Sequence, residues 1–309
     1  MKLRVGTRRS PLALTQTRQT MEELARRSGG VEWEIVEIRT TGDRILDRAL
    51  RDVGGKGLFV KELDEALLDG RVDCAVHSLK DVPSELPDGI EIAAILERAP
   101  AVDVLVTRDG TDLAQLPTGS RLGTTSPRRA AQALLLNASL DVQLLRGSVE
   151  TRLGKVRDST IDATFLARAG LNRLGIDAAP LNLRDMDPAT FVPAVGQGAI
   201  AVTARSDDAV SLAHWALVED PISRVVVVAE RAFARVFGGG CHLPIAAYAT
   251  VSSSVIALTG LVIAPDGARS VRRETQGPIL NAEELGHELG CAVLAAGADS
   301  ILASVAGVE

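Results

Sequence analysis

Along most of the chain, short apolar runs alternate with stretches in which apolar residues return every third or fourth position. That is the signature of strands alternating with amphipathic helices. The run "KLRVG" (2–6) predicts a strand. Ser10 followed by Pro11 predicts a helix start, with Leu14, Met21 and Ala25 on roughly one face. "VEWEIVEI" alternates as a strand from Val31 to Ile38. In "LFVKELDEALLDG" Phe59, Leu63 and Leu67 repeat at helical spacing, entered from the polar, glycine-rich loop "RDVGGKG" (51–57). "RVDCAVHS" is the next strand, and the prolines of "LKDVPSELPDG" mark an irregular connection.

The strand-loop-helix theme recurs in "AVDVLVTR", "SRLGTTSPRRAAQALLL", "DVQLLRGSVETRLGKV" and "IDATFLARAGLNRLG", after a break at Ala99-Pro100. Such alternation predicts parallel or mixed sheets in α/β layers. "GAIAVTAR" reads as a strand that periodicity alone does not place. Ser206 to Glu219 reads as a helix with Val210, Ala213 and Leu217 facing inward. "RVVVVAERAFARVF" opens with four valines that favour a strand, but Ala229, Phe233 and Phe237 favour a helix, and the helix is the reading taken. Strands in "AAYATV", "VIALTGLVIA" and "ARSVRRET", a turn at Asp266-Gly267 and a helix from about Ala282 to Val305 complete a small α+β tail.

At 309 residues the chain is long enough for two or three domains with their own cores. A formal net charge of -6 argues against a general nucleic-acid binder while leaving room for a local basic cleft. Cys74, Cys241 and Cys291 lack metal-ligand or disulfide spacing, which favours a reducing compartment and no metal site. Cys74 and Cys291 lie in apolar runs and read as buried. The first residues carry no secretory pattern and no run approaches membrane-spanning length, so a cytoplasmic α/β protein is expected.

Basic residues change that plain picture. Arg8 and Arg9 precede a helix start, and Arg128 and Arg129 follow Ser126 and Pro127 at another. Arg146 ends a strand, and Arg152 lies in the first turns of the helix opening at Ser148. Cations at a helix N-terminus oppose the helix dipole unless an anion is bound there. Any one of these arginines alone reads as solvated. Their recurrence at one structural position points to a polyanionic small ligand, for which guanidinium forks are suited. "GGKGLF" does not satisfy the P-loop pattern, and there is no GxGxxG fingerprint.

"HSLKDVP" (77–83) follows a strand end, a common place for functional residues in α/β sheets. There Asp81 beside Lys80 offers an ionised carboxylate able to stabilise a positive intermediate or shuttle a proton, although an ordinary loop pair reads the same way. His77 reads as a hydrogen-bonded structural histidine. Cys241, directly behind three glycines in "FGGGCHLPIAAYA", reads equally as a structural thiol or as a nucleophile or attachment point.

Together these segments resemble the porphobilinogen deaminase (hydroxymethylbilane synthase) family over essentially the whole chain. The resemblance rests on "GTRRSPLAL", "GGKGLFVKELDEALLDGRVDCAVHSLKDVPSELP", "GTTSPRR", "LRGSVETRLGKV", "DATFLARAGLNRLG", "PAVGQGAIAV" and "AERAFARVFGGGCHLPIAAYA", in that order. It implies two periplasmic-binding-protein-like α/β domains around a cleft, plus a small C-terminal α+β domain. Domain 1 would comprise 1–98 and 198–219, domain 2 99–197, and domain 3 220–309.

The resemblance further implies a transferase that condenses four porphobilinogen molecules on a dipyrromethane cofactor held by Cys241 as a thioether. Asp81 would be catalytic. Arg8, Ser10, Lys80, Arg128, Arg129, Arg146, Arg152 and Arg173 would bind acetate and propionate groups or shape the cleft. Lys56 and Phe59 would belong to an active-site loop. A monomer, no metal, no nucleic acid or membrane partner, and a product passed to uroporphyrinogen-III synthase are implied as well. Pro127, Ser148 and Thr203 stand where the family usually has leucine, asparagine and glutamate. The alternative is a non-catalytic anion-binding module with a two-lobed cleft.

Overall fold

In the computed structural model the described residues are 2–44, 57–239 and 243–306. They form three sheets. The first joins β1 (Lys2–Arg8), β2 (Glu32–Ile38), β3 (Cys74–Ser78), β4 (Ile90–Ile95) and β10 (Ile200–Arg205) in the order β2-β1-β3-β10-β4. The second joins β5 (Asp103–Thr107), β6 (Arg121–Gly123), β7 (Asp141–Gln143), β8 (Ala163–Ala167) and β9 (Asn182–Asp185) in the order β7-β6-β8-β5-β9. The two orders correspond strand for strand. In each, three parallel strands are followed by one antiparallel strand, β10 or β5, that the chain delivers from the other lobe. These are the two similar α/β lobes that the family resemblance implied.

Both delivered strands sit inside their sheets, and this explains their composition. β5 is buried at all five positions and β10 at five of six, so both faces are covered and the apolar runs need not alternate. The crossovers feeding them run side by side. Ala99 N donates to Gly198 O at 3.3 Å, and the Arg98 guanidinium reaches Gln197 O. Gly198 has φ +89°, and a Cβ there would stand 2.3 Å from Ala99 O, so no other residue fits this approach.

Helices α1 (Pro11–Ser28), α2 (Thr41–Arg44), α3 (Lys61–Leu68) and α7 (Ala209–Trp215) belong to the first lobe. Helices α4 (Pro127–Leu136), α5 (Val149–Arg157) and α6 (Arg168–Leu174) belong to the second. Caps follow the sequence signals: Ser10, Ser126 and Ser148 accept from Ala13 N, Arg129 N and Thr151 N. The inward face expected for α7 is wrong. Val210, Ala213 and Leu217 are exposed, and Ser211, Trp215 and Val218 are buried, because the large Trp215 indole sets the helix phase.

The C-terminal part is a three-stranded antiparallel sheet of β11 (Ile245–Ser252), β12 (Val255–Ile263) and β13 (Ser270–Pro278). Helices α8 (Pro221–Arg235) and α9 (Ala282–Val293) pack on it, with α10 (Asp299–Ala306) following. The valine-rich segment is helical, capped by Asp220 and opened by Pro221. The expected long last helix is broken where Gly297 takes φ +100°. Cys74 is buried as expected, whereas Cys291 is exposed on α9.

One buried carboxylate ties this part to the crossovers. Glu230 of α8 is fully buried. It accepts from Arg98 Nη1 at 2.7 Å, Gly196 N at 2.7 Å and Ala249 N at 2.9 Å. Among the described residues no helix is long and apolar enough to cross a membrane.

Candidate active site

The first lobe's site is built at the C-terminal ends of β1 and β3, neighbours in the sheet. β1 ends on Arg8, and Ser10 then caps α1. β3 ends on Ser78 and passes into a tight 3₁₀ turn, Leu79–Asp81, whose Leu79 is buried in the core. That anchoring leaves Lys80 and Asp81 on the open side. A cavity of about 90 Å³ there is lined by Arg8, Ser10, Phe59, Ser78, Lys80 and Asp81, among others.

Arg8 is shared between two carboxylates. Its guanidinium pairs closely with Asp43, reaches Asp81 Oδ2 from Nη1 at 3.4 Å, and lies 4.2 Å from the centroid of the Phe59 ring. Burial pushes the Asp43 carboxyl up, but hydrogen bonds and charge from Arg8, with help from Thr40, outweigh it and hold the group below its ordinary value. Asp81 therefore keeps a lightly held, partly exposed carboxylate while Asp43 takes most of the arginine. Behind the turn His77 is buried, its Nε2 2.9 Å from Thr203 Oγ1. Burial pushes its imidazole down to about 4 and keeps it neutral, a structural role.

The second lobe contributes cations. Arg128 and Arg129 open α4 but do not face solvent. Both are buried against Asp103, at 2.8 and 2.7 Å, and donate to Val192 O and Phe165 O. Thus the anion demanded by arginines at that helix start is partly supplied by the chain itself. Burial pushes Asp103 up, but the two arginines reverse this and hold it at about 2. Two guanidinium groups share one carboxylate, leaving net positive charge.

Its neighbours register that charge. Lys80 is pushed down to about 8, first by burial and next by Arg129. Arg152, whose Nε donates to Gly147 O, is pushed down to about 10 by burial, then by Arg129 and Arg146. Arg173 is pushed to about 10 by burial and donates to Gly198 O at 2.7 Å. Lys80 of the first lobe thus feels the charges of Arg129 and Arg128 of the second, while Asp81 and Asp103 act on it in the opposite sense.

Arg9 is apart from this group, exposed and near Glu37 at 3.5 Å. Lys56 and Cys241 lie outside the described residues. Sequence reasoning missed Asp43 and Asp103, the two carboxylates that organise the arginines. The readable signal for Asp103 was a charge at the head of the apolar run "VDVLV". Among the described residues no cluster of three or more His, Cys, Asp and Glu could hold a metal.

Fold and site define a two-lobed α/β protein with Arg8, Lys80 and Asp81 around one cavity of the first lobe, an Arg128–Arg129–Asp103 cluster in the second, and a small third sheet tied to the crossovers. Residues 3–213 match the family model for the porphobilinogen deaminase dipyromethane cofactor binding domain, and residues 225–295 match that for the porphobilinogen deaminase C-terminal domain. The porphobilinogen deaminase of Trichlorobacter lovleyi is 43% identical over 98% of this chain and 96% of its own length. That of Geobacter metallireducens is 45% identical over 98% and 95%. A periplasmic binding protein of Salmonella typhimurium, of solved structure, aligns at 12% identity with TM-score 0.41, over 72% of this chain and 93% of that one. The chain belongs to the porphobilinogen deaminase family.

Proposed function

We propose that this chain is a transferase that deaminates porphobilinogen and condenses four molecules head to tail on a dipyrromethane primer, releasing linear hydroxymethylbilane by hydrolysis. The observation that carries this reading is the Asp81 carboxylate lining one cavity with Arg8 and Lys80; with the charges of Arg128 and Arg129, which act on Lys80 from the second lobe, these groups make up the proposed cationic basin. Each pyrrole of the substrate bears two carboxylates, so a growing chain is the kind of polyanion the basin suits. The donor set fits the dipyrromethane group equally, and the primer would supply the nucleophilic pyrrole carbon to which the first substrate is joined.

Asp81 has the role of facing the pyrrole nitrogen as ammonia leaves and positive charge develops there. A carboxylate acting on charge that appears only in the transition state raises turnover rather than affinity alone. Arg8, drawn toward Asp43, is set to take an acetate or propionate without neutralising Asp81. Ser10, Arg146 and Arg173 complete the carboxylate contacts, and Lys56 and Phe59 belong to the loop over the site. Cys241 anchors the primer as a thioether. Domain limits of 1–98 with 198–219, 99–197 and 220–309, a cytoplasmic monomer, and hand-over of product to uroporphyrinogen-III synthase belong to the same reading.

Intact-mass measurement of holoprotein made with ample porphobilinogen tests it. A mass excess equal to a dipyrromethane is expected, abolished in Cys241→Ala; its absence from the wild type would sink the reading. Asp81→Asn should retain the adduct while kcat falls at least ~100-fold. A bare, non-catalytic protein would instead mark an anion-binding module.

A further inference from the structure

The chain that leaves Asp81 is gripped from the third sheet's side at two points. Arg231 of α8, buried, forks its guanidinium onto three successive carbonyls, donating to Val82 O at 3.2 Å, Pro83 O at 2.6 Å and Ser84 O at 3.1 Å. Two turns further along, Gly239 lies against the same segment. It holds φ +62°, and a Cβ built on it would stand 1.6 Å from Ser84 Oγ and 2.7 Å from Ser84 Cβ. Val82 is itself buried in the same cluster as Phe237. Residues 82–84 are thus fixed in direction by the arginine fork and in depth by a glycine contact that admits no side chain.

We infer that Arg231 and Gly239 are positioning residues for Asp81, setting the catalytic turn in register with the end of α8. In the sequence Gly239 stands two residues before Cys241. On the functional reading above, from which this inference starts, the residue that sets the depth of the carboxylate stands two positions in sequence from the one that would hold the primer. Neither residue touches substrate. They act through the backbone of residues 82–84, one bond from Asp81. Misplacing a reacting group by about 1 Å can lower a rate ~100-fold without loss of binding.

A collision-and-relief cycle tests this in holoprotein. Gly239→Ala should lower kcat about 10-fold or more with KM for porphobilinogen changed less than about 2-fold and the adduct mass retained. In a Ser84→Gly background, where the colliding atoms are gone, the same Gly239→Ala should lower kcat no more than about 3-fold relative to Ser84→Gly alone, the residue of left-handed strain. An equal loss in both backgrounds overturns the contact as a register point. Should Gly239→Ala fail to fold, Arg231 decides: Arg231→Met should lower kcat at constant KM, and Arg231→Lys should recover part of it. Loss of thermal stability with unchanged kcat overturns the positioning role. Wild-type protein without adduct overturns this inference together with the functional reading. Wild type with adduct and indifferent variants overturns the inference alone.

Discussion

Replacing Asp103 by Asn isolates what one buried charge does for the second lobe. The substitution keeps shape and volume, so no cavity forms. What changes is that two guanidinium groups, 5% and 8% exposed, lose the carboxylate lying 2.8 and 2.7 Å away. Removing one partner from a buried ionic cluster costs about 3–5 kcal/mol, because the remaining charges stay buried and uncompensated. The lowered pKa of the carboxyl reflects the same two contacts. Asp103 is held at about 2, and holding it there against about 3.9 in an unfolded chain is worth on the order of 2–3 kcal/mol.

Because the folded value is the lower one, this stability is present above about pH 4 and is lost as pH falls toward 2. Urea unfolding followed by circular dichroism, with hydrogen exchange of the β5 and β8 amides to report the lobe itself, is the assay. The expected result is a gap of about 3 kcal/mol between wild type and Asp103→Asn at pH 7, narrowing at pH 3. A gap below about 1 kcal/mol, or one equal at both pH values, would refute the buried-charge argument.

Two further outcomes follow from the site. Lys80, held at about 8, loses its charge as pH rises through that value, so kcat/KM for a carboxylate-rich substrate should fall from pH 7 to 9. Lys80→Arg should flatten that limb, and an unchanged profile would remove Lys80 from substrate binding. Glu230→Gln, which breaks the buried pair with Arg98, should destabilise the protein by about 3–5 kcal/mol, read as a lowered thermal midpoint. A loss under about 1 kcal/mol would show that the junction stands on its backbone contacts alone.

How much of this was legible before the structure depended on the range of the interaction. Helix starts were, because Ser10-Pro11, Ser126-Pro127 and Ser148 carry their own caps in adjacent residues. The valines of α8 favoured a strand locally, but the recurrence of Ala229, Phe233 and Phe237 decided for helix; the Asp220 cap ahead of Pro221 went unread. Phase was harder: in α7 small and branched residues were counted equally with Trp215, whose burial overrides them.

Strand order was not legible, since β10 finds partners more than a hundred residues earlier in the sequence. The arginines were recognised as a group, but not the carboxylates that arrange them. Asp43, Asp103 and Glu230 come from separate elements, and their meaning is purely spatial. Glu230 and Arg231 could have been suspected as charges inside the apolar stretch "VVVVAERAFARVF", since a buried charge needs a partner.

The interleaving of strands has a consequence for synthesis on the ribosome. Every strand of the second sheet lies between Asp103 and Asp185, so that lobe can close as soon as its own residues have emerged. The first sheet cannot. Until β10 emerges, β3 has one open edge and β4 has no partner at all. The lobe that begins the chain is therefore completed second, by a strand made after its neighbour is finished. During that interval the edge of β3, which leads into the Leu79–Asp81 turn, stands open to wrong pairing, and the nascent chain is most exposed to aggregation there.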